Sequence, residues 1–231
     1  MKAGILAAGQ GSRFRQAGWN EPKPLIKLNG KPMIAHILDN LFQAGIEEVG
    51  ILLNEEAPFD PVETYLRERP DASQIQVWRK TTQSSFESFC YVMARLQKAP
   101  YLLTTVDTIC KQTELQDLIR LESYPLLCDL VLAITDFVHD ESPLWVEITK
   151  ENRIQSIGES VSSKKHITAG LYLILKDLAQ SASGKTFPAL RYFLQHLAEN
   201  NGTLWAKKFQ MALDIDCPDD IQLGEKFLKT I

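Results

Sequence analysis

The feature that most constrains this chain is a short apolar segment, Ala3–Ala8, that runs into the loop Gly9-Gln10-Gly11. An uninterrupted run of apolar and small residues is typical of a strand at the centre of a sheet, buried on both faces. Arg13 follows the loop, and Lys23 comes ten residues later. Glycines let backbone N–H groups approach phosphate oxygens, an arginine can bind two oxygens at once, and a lysine supplies a compact charge. The N-terminal segment therefore predicts a binding site for the phosphates of a nucleotide.

Strands and helices are expected to alternate along much of the chain. Apolar runs at 49–53, 75–78 and 101–106 indicate strands, and apolar residues repeat with helical spacing after Pro32 and over 187–199. This alternation is typical of a sheet with helices on both faces. Near residue 145 the pattern changes, because Trp145–Ile148 and Ile154–Ile157 read as a β-hairpin. We expect an α/β, Rossmann-like fold with a mixed, mostly parallel sheet flanked by helices and a small β-hairpin lid region.

Length and charge narrow the classes of function. The 231 residues, 45% of them hydrophobic, suffice for one domain with a large core. A net charge of −4 gives no reason to expect a nucleic-acid partner. Residues 1–31 nevertheless carry six lysines and arginines against a single acidic residue, which suits an anionic small ligand.

The cysteines and the apolar runs bear on the compartment. The four cysteines are scattered and form no C-x-x-C pair, so neither a zinc site nor a redox motif is indicated. No signal peptide is visible, and no apolar run approaches the roughly 18 residues of a membrane helix. We expect a cytoplasmic protein with no membrane partner, whose oligomeric state the sequence does not reveal.

Three N-terminal motifs carry a family resemblance: LAAGQGSR at Leu6–Arg13, PKPL at Pro22–Leu25 and GKPM at Gly30–Met33. In this order and at this spacing they resemble the signature of the nucleotidyltransferases with a GT-A-like fold, the sugar-1-phosphate nucleotidylyltransferases. The resemblance implies transfer of a nucleoside monophosphate from an NTP to a phosphorylated acceptor, preferably a sugar 1-phosphate, with release of pyrophosphate. It extends nearly end to end, which predicts one domain over 1–231. We expect a nucleotide-binding half over about 1–110 and an acceptor-binding half over about 111–231.

The resemblance also implies the roles of individual residues, with Arg13, Lys23 and Asp107 as the catalytic ones. Asp107 follows an apolar strand, at the edge where ligands of open α/β sheets bind, and an aspartate at this point binds Mg²⁺ in the family. The resemblance implies a second Mg²⁺ ligand from the C-terminal segment, with Asp216 preferred and Asp214 as the alternative. Alternation places both on one face of a strand and does not decide between them. The implied nucleotide-binding residues are Leu6, Ala7, Ala8, Gly9, Gly11, Ser12, Arg13, Lys23, Gln83, Ser84 and Ser85.

The acceptor side departs from the family pattern. The resemblance implies acceptor contacts from Glu159, Thr168 and Gly170. Ser160 stands where many members have a lysine for the substrate phosphate, and Lys164 or Lys165 is the candidate replacement.

Other functions remain open at this point. A CTP-dependent cytidylyltransferase for phosphocholine or a similar non-sugar acceptor would carry the same N-terminal motifs. An NAD(P)-dependent oxidoreductase would need a third glycine where Phe14 stands. A non-catalytic nucleotide-binding module could dispense with the acidic residues, all of which are present here. The motifs do not reveal which base or which acceptor is bound.

Overall fold

The computed structural model describes residues 1–56, 59–139, 142–200 and 202–230, and these fold around a nine-stranded central sheet. The strands are β1 (Lys2–Ala7), β2 (Lys27–Leu28), β3 (Lys31–Pro32), β4 (Glu48–Leu53), β5 (Ile75–Arg79), β6 (Tyr101–Thr105), β7 (Thr108–Cys110), β8 (Leu130–Thr135), β9 (Trp145–Ile148), β10 (Ile154–Ile157), β11 (His166–Ile174), β12 (Leu204–Phe209) and β13 (Ala212–Asp214). The helices are α1 (Ser12–Gln16), α2 (Met33–Gln43), α3 (Asp60–Arg67), α4 (Ser85–Leu96), α5 (Gln112–Leu118), α6 (Ala179–Ala182), α7 (Leu190–Glu199) and α8 (Pro218–Leu228).

The central sheet is parallel on one side and mixed on the other. β1 pairs in parallel with β4 and β6, and β5 extends this side by pairing with β4. The long strand β11 then runs antiparallel to β6, β8 and β9, while β12 pairs in parallel with β8. The expected α/β fold with a mixed sheet is confirmed. The expected hairpin is also present, as β9 and β10, and it forms an edge of the central sheet.

Apolar side chains cover both faces of the sheet. Helices α2, α3 and α5 pack on one face, with Leu38, Leu66 and Leu118 among the residues they bury. Helices α4 and α7 pack on the other face, where Phe89 and Phe193 are fully buried. With both faces covered, the carboxyl ends of β1 and β6 form the open edge at which polar side chains can gather.

A two-stranded sheet joins the middle of the chain to its C-terminal part. β7 begins just after Asp107, and β13 pairs with it antiparallel, so that Asp214 lies opposite Thr108. The Ile215 N–H donates to the Asp107 carbonyl oxygen at 3.1 Å, which continues the contact beyond the strand. This pairing brings two segments that are distant in sequence to the same edge of the central sheet.

Helix α7 begins later than the sequence pattern predicts. The apolar repeat indicated a helix from Phe187, whereas the first residue of α7 is Leu190. The Leu190 N–H donates to the Ser85 hydroxyl at 2.9 Å. Ser85, at the start of α4, thus satisfies one of the N–H groups that α7 leaves unpaired at its own beginning.

Candidate active site

A cavity of about 720 Å³ lies at the carboxyl ends of β1 and β6. Its lining comes from three regions: the glycine loop after β1, the segment before α4, and the junction of β11 with α7. After the roles that the sequence analysis predicts, we call these the phosphate end, the base end and the acceptor end. Pockets at the carboxyl edge of an open α/β sheet are the usual ligand sites of such folds.

The phosphate end is built by close packing of the glycine loop on Lys23. Gly11 has φ +62°, and a Cβ at this position would lie 3.2 Å from the Cβ of Lys23. Glycine is therefore favoured here both by backbone conformation and by space. Lys23 begins a short 3₁₀ turn after Pro22, and its side chain is 9% exposed.

Three aspartates lie near the cationic side chains of Lys23 and Arg13. Lys23 Nζ lies 2.5 Å from Asp107 Oδ2 and 2.6 Å from Asp216 Oδ1. Arg13 Nη1 donates to Asp216 Oδ2 at 2.9 Å. Asp214 is held from the other side, since it accepts a hydrogen bond of 2.6 Å from the Thr108 hydroxyl. The residues predicted as catalytic and as metal ligands thus meet in one cluster.

The aspartates have different electrostatic surroundings. Burial alone would raise the pKa of Asp107, but the Lys23 ammonium outweighs this effect and lowers it. Burial, followed by the negative charge of Asp107, raises the pKa of Asp214 to about 7. Burial by itself would lower the pKa of Lys23, but Asp107 and Asp216 raise it. Lys23 therefore stays charged, while Asp214 is the carboxylate that exchanges a proton near neutral pH.

The cluster fits a divalent cation through its oxygen donors. Within the four described ranges, no group of three or more His, Cys, Asp and Glu side chains is spaced to enclose a metal by itself. Asp107 and Asp216 do converge on one cation, because the Lys23 ammonium lies within 2.6 Å of an oxygen of each. Two hard carboxylate oxygens that leave room for phosphate oxygens are typical of Mg²⁺ bound together with a nucleotide.

The base end is polar and well ordered by hydrogen bonds. Ser84 caps α4 by accepting from the Glu87 N–H at 3.1 Å, and Glu87 accepts from the Gln83 N–H at 2.8 Å. Asn54 is 4% exposed and donates to the Ala8 carbonyl oxygen at 3.3 Å, which fixes the glycine loop against β4. The sequence patterns did not identify Asn54, because a single asparagine after a strand carries no motif.

The acceptor end is mainly apolar. Leu144, Leu190 and Leu194 line it, together with Tyr172 and Arg191. The sequence analysis did not identify the three leucines or Arg191 as parts of a site, whereas Tyr172 closes the segment from Thr168 whose resemblance implied acceptor contacts. The apolar ones follow the ordinary pattern of core residues, and only the packing of α7 beside β11 reveals that they border a cavity.

The structure does not bring two of the predicted residues to the cavity. Ala7 is 1% exposed and packs in the core, because strand alternation turns it away from the face that Leu6 shares with the cavity. Glu159 follows β10 at the outer edge of the sheet, where it forms an exposed ion pair of 2.8 Å with Lys164. Lys164 is thereby directed to Glu159 and to the ring of Trp145, 5.8 Å away. The other predicted catalytic, nucleotide-binding and metal-binding residues line the cavity, as do Thr168 and Gly170, whereas Lys165 does not.

Known proteins share both the sequence pattern and the fold. Mannose-1-phosphate guanyltransferase of Hypocrea jecorina is 25% identical over 207 residues, which cover 82% of this chain and 56% of that protein. Choline-phosphate cytidylyltransferase of Streptococcus pneumoniae is 31% identical over 121 residues, which cover 52% of this chain and 51% of that protein. The chain thus spans about half the length of these curated relatives.

A solved structure extends the likeness to the whole fold. The inositol-1-phosphate CTP transferase from T. maritima superposes with a TM-score of 0.81 at 17% identity, over 100% of this chain and 97% of that one. Among the described residues, no helix combines the length and the apolar character of a membrane span.

The family assignment comes from the sequence itself. Residues 3–179 match the family described as the MobA-like NTP transferase domain. This match begins in β1 and includes the glycine loop, Lys23, Asp107 and β11. Most of the chain lies within it, and the chain belongs to the family of MobA-like NTP transferase domains.

Proposed function

We propose that this protein transfers a nucleoside monophosphate from an NTP to a phosphorylated small molecule, with a sugar 1-phosphate as the acceptor class, and releases pyrophosphate. One observation carries the proposal: Lys23, Arg13, Asp107 and Asp216 meet beside a glycine loop at the open edge of the sheet. The nucleotide-binding half over about 1–110 supplies most of the phosphate and base ends. The acceptor-binding half over about 111–231 supplies β11 and α7.

The bond changes need no nucleophile from the protein. An acceptor phosphate oxygen, already anionic at neutral pH, forms a bond to the α-phosphorus of the NTP, and the bond from that phosphorus to the bridging oxygen of pyrophosphate breaks. Catalysis then depends on positioning and on charge. Lys23 neutralises the α-phosphate, and Arg13 binds the departing pyrophosphate. Lys23 and Arg13 each form ion pairs with aspartates in this structure. When a nucleotide binds, its phosphates would replace the aspartates as partners of these two side chains.

A divalent cation completes this assignment. We propose that Asp107 and Asp216 hold Mg²⁺, because their oxygens already share the Lys23 ammonium. Asp214 supports them from the Thr108 side and is the alternative ligand. When bound, Mg²⁺ would supply positive charge beside the phosphates and lower the repulsion between substrate and acidic residues.

The acceptor end favours an acceptor phosphate with a polar, uncharged or anionic body over phosphocholine. Proteins recognise a quaternary ammonium through several aromatic faces, usually with a nearby carboxylate. Among the described residues, Tyr172 is the one aromatic side chain that lines the acceptor end, and Arg191 beside it would repel a cation. Thr168 supplies a hydroxyl for sugar hydroxyls, and Gly170 lines the same end of the cavity.

The compartment stays a prediction. An NTP substrate and four unpaired cysteines fit a reducing compartment, and we therefore propose the cytoplasm.

The test is a pyrophosphate-release matrix with Mg²⁺. Each of ATP, CTP, GTP, UTP and dTTP is combined with glucose 1-phosphate, mannose 1-phosphate or phosphocholine. We expect release that depends on both an NTP and a sugar 1-phosphate. Release with CTP and phosphocholine alone would establish the cytidylyltransferase alternative. Binding of NTP without release in any combination would support a non-catalytic module, and stabilisation by NAD(P) in place of Mg²⁺-NTP would support an oxidoreductase.

A further inference from the structure

The acceptor end holds a cation that the proposed chemistry does not use. Arg191 lies in the first turn of α7 and lines the cavity. Its Nη2 donates to the backbone oxygen of Ser142 at 3.1 Å. An arginine has five N–H donors, and in the described ranges Arg191 forms no ion pair with a carboxylate. Most of its donors therefore remain available to a ligand in the cavity.

Tyr172 supplies an independent observation at the same end. Its side chain is 6% exposed and lines the cavity, yet its hydroxyl forms no hydrogen bond with any described residue. The hydroxyl oxygen is not one of the fully buried polar atoms without a partner, so it is the accessible tip of an otherwise buried side chain at the cavity wall. Burial raises the pKa of Tyr172, as do Asp214 and Asp107, whereas Arg191 lowers it. The hydroxyl thus stays protonated within electrostatic reach of Arg191 and can donate to a ligand in the cavity.

The surroundings make this pair selective for charge. Leu144, Leu190 and Leu194 border the same end and are each at most 8% exposed. Apolar walls weaken the screening by water, so a guanidinium among them attracts an anion more strongly than one on an open surface. Arginine binds phosphate and carboxylate groups through two parallel hydrogen bonds.

We propose that Arg191 and the Tyr172 hydroxyl bind an oxyanion of the acceptor, so that the start of α7 selects acceptors by negative charge. The inference rests on the proposed transferase function and narrows its acceptor class. The oxyanion is either the acceptor's phosphate or a second anionic group such as a carboxylate. Both share the chemistry that a guanidinium and a phenol recognise. In the first case, Arg191 would take the role of the phosphate-binding lysine that many family members have where this chain has Ser160.

Glucose 1-phosphate and glucuronic acid 1-phosphate distinguish these two sources, because they differ only in the carboxylate at C6. Calorimetry measures the binding of each to the wild type, Arg191→Gln, Arg191→Lys and Tyr172→Phe, without nucleotide. We expect Arg191→Gln to weaken binding about 10- to 100-fold and Tyr172→Phe about fivefold, as for lost hydrogen bonds to a charged group. Arg191→Lys should recover part of the loss, because it keeps the charge without the two parallel donors.

Arg95→Gln is the matched control, since Arg95 is an exposed arginine of the neighbouring helix α4, stacked 4.4 Å from the Tyr91 ring. Its acceptor binding should equal that of the wild type. Circular dichroism and binding of Mg²⁺-NTP establish that each variant is folded with an intact phosphate end.

The pattern of losses identifies the bound group. Equal weakening for both acceptors assigns Arg191 to the phosphate, and weakening for glucuronic acid 1-phosphate alone assigns it to the carboxylate. Unchanged binding in Arg191→Gln, wild-type protein that binds neither acceptor, or tighter binding of phosphocholine than of both would overturn the inference.

The proposed transferase is judged separately by pyrophosphate release. Arg191-dependent acceptor binding without release from any NTP would leave the oxyanion site standing and reject the transferase. Normal pyrophosphate release with an unchanged acceptor KM in Arg191→Gln would support the transferase and reject the oxyanion site.

Discussion

The two ends of the cavity hold their cations in opposite ways. At the phosphate end, the Lys23 ammonium lies within 2.6 Å of two carboxylates. At the acceptor end, Arg191 has one backbone oxygen as its hydrogen-bond partner within the described part of the chain, and leucines border it. The first arrangement balances the charges within the protein, and in our proposal a nucleotide with its own anions and counter-cation replaces these internal pairs. The second leaves a charge for a ligand to balance, and our inference is that acceptors are distinguished at that end.

The largest expected effect tests the phosphate end directly. Lys23→Ala should lower kcat/KM for pyrophosphate release by about 10²–10³-fold, the usual cost of removing one charge that stabilises a phosphoryl-transfer transition state. Lys27→Ala is the control, because Lys27 is an exposed lysine of the same segment outside the cavity. Full turnover by folded Lys23→Ala protein would refute the role of Lys23.

Gly170 lies between the phosphate end and the acceptor end, and its substitution tests how closely β11 packs against Thr108 of β7. It has φ +64°, and an added Cβ would lie 2.1 Å from the Thr108 hydroxyl. Gly170→Ala should lower the free energy of unfolding by about 2–3 kcal/mol, from backbone strain together with this overlap. Gly184→Ala isolates the strain, since Gly184 has φ +67° and nothing within 4 Å of the added Cβ. Denaturant titration of both variants gives the difference, and equal losses would show that the contact with Thr108 is unimportant.

These variants also separate what the sequence could reveal from what it could not. Arg13, Lys23 and Asp107 were predictable, because Arg13 and Lys23 lie in local motifs and Asp107 directly follows a strand pattern. Arg191 was not, since its place depends on the hydrogen bond from Leu190 to Ser85, 105 residues away in sequence. Glu159 shows the converse, because a motif-like residue can follow an edge strand and face solvent. Local patterns therefore predicted the fold and the phosphate end, and long-range packing determined the acceptor end.

Asp214 differs from the other aspartates of the phosphate end, because its carboxylate has no cation as a hydrogen-bond partner among the residues that the structure describes and its pKa is raised. Because its pKa is raised to about 7, ionising it costs folding free energy. That cost is absent below about pH 4, grows as pH rises towards 7 and is constant above this. Asp214→Asn should therefore stabilise the protein by roughly 2 kcal/mol at pH 8 in EDTA and by less at pH 5.

Thermal melting at the two pH values measures this difference, with the exposed Asp219→Asn as control. A stabilisation that does not depend on pH would contradict the raised pKa of Asp214.

The smallest effect concerns charges that lie outside the cavity. Asp39 accepts hydrogen bonds from Lys31 and, at 2.6 Å, from Arg69, which lower its pKa against the opposing effect of burial. A lowered pKa stabilises the folded protein above about pH 4, and this contribution is lost as pH falls through the folded value. Asp39→Asn should cost about 1 kcal/mol at pH 7 and almost nothing near pH 2, while nucleotide turnover stays normal. Loss of turnover in this variant would show that charges outside the cavity also control the phosphate end.

The pairing of β13 with β7 has a consequence for dividing the gene. The family match ends at residue 179, but Asp214 and Asp216 lie beyond it, as does β12, the parallel neighbour of β8. A fragment cut at that limit would keep the glycine loop yet lose two of the acidic groups and expose the flank of β8. Fragments for shuffling or truncation should therefore extend through the C-terminal strands and helix α8. The limit of the sequence match, residue 179, is not a suitable place to cut.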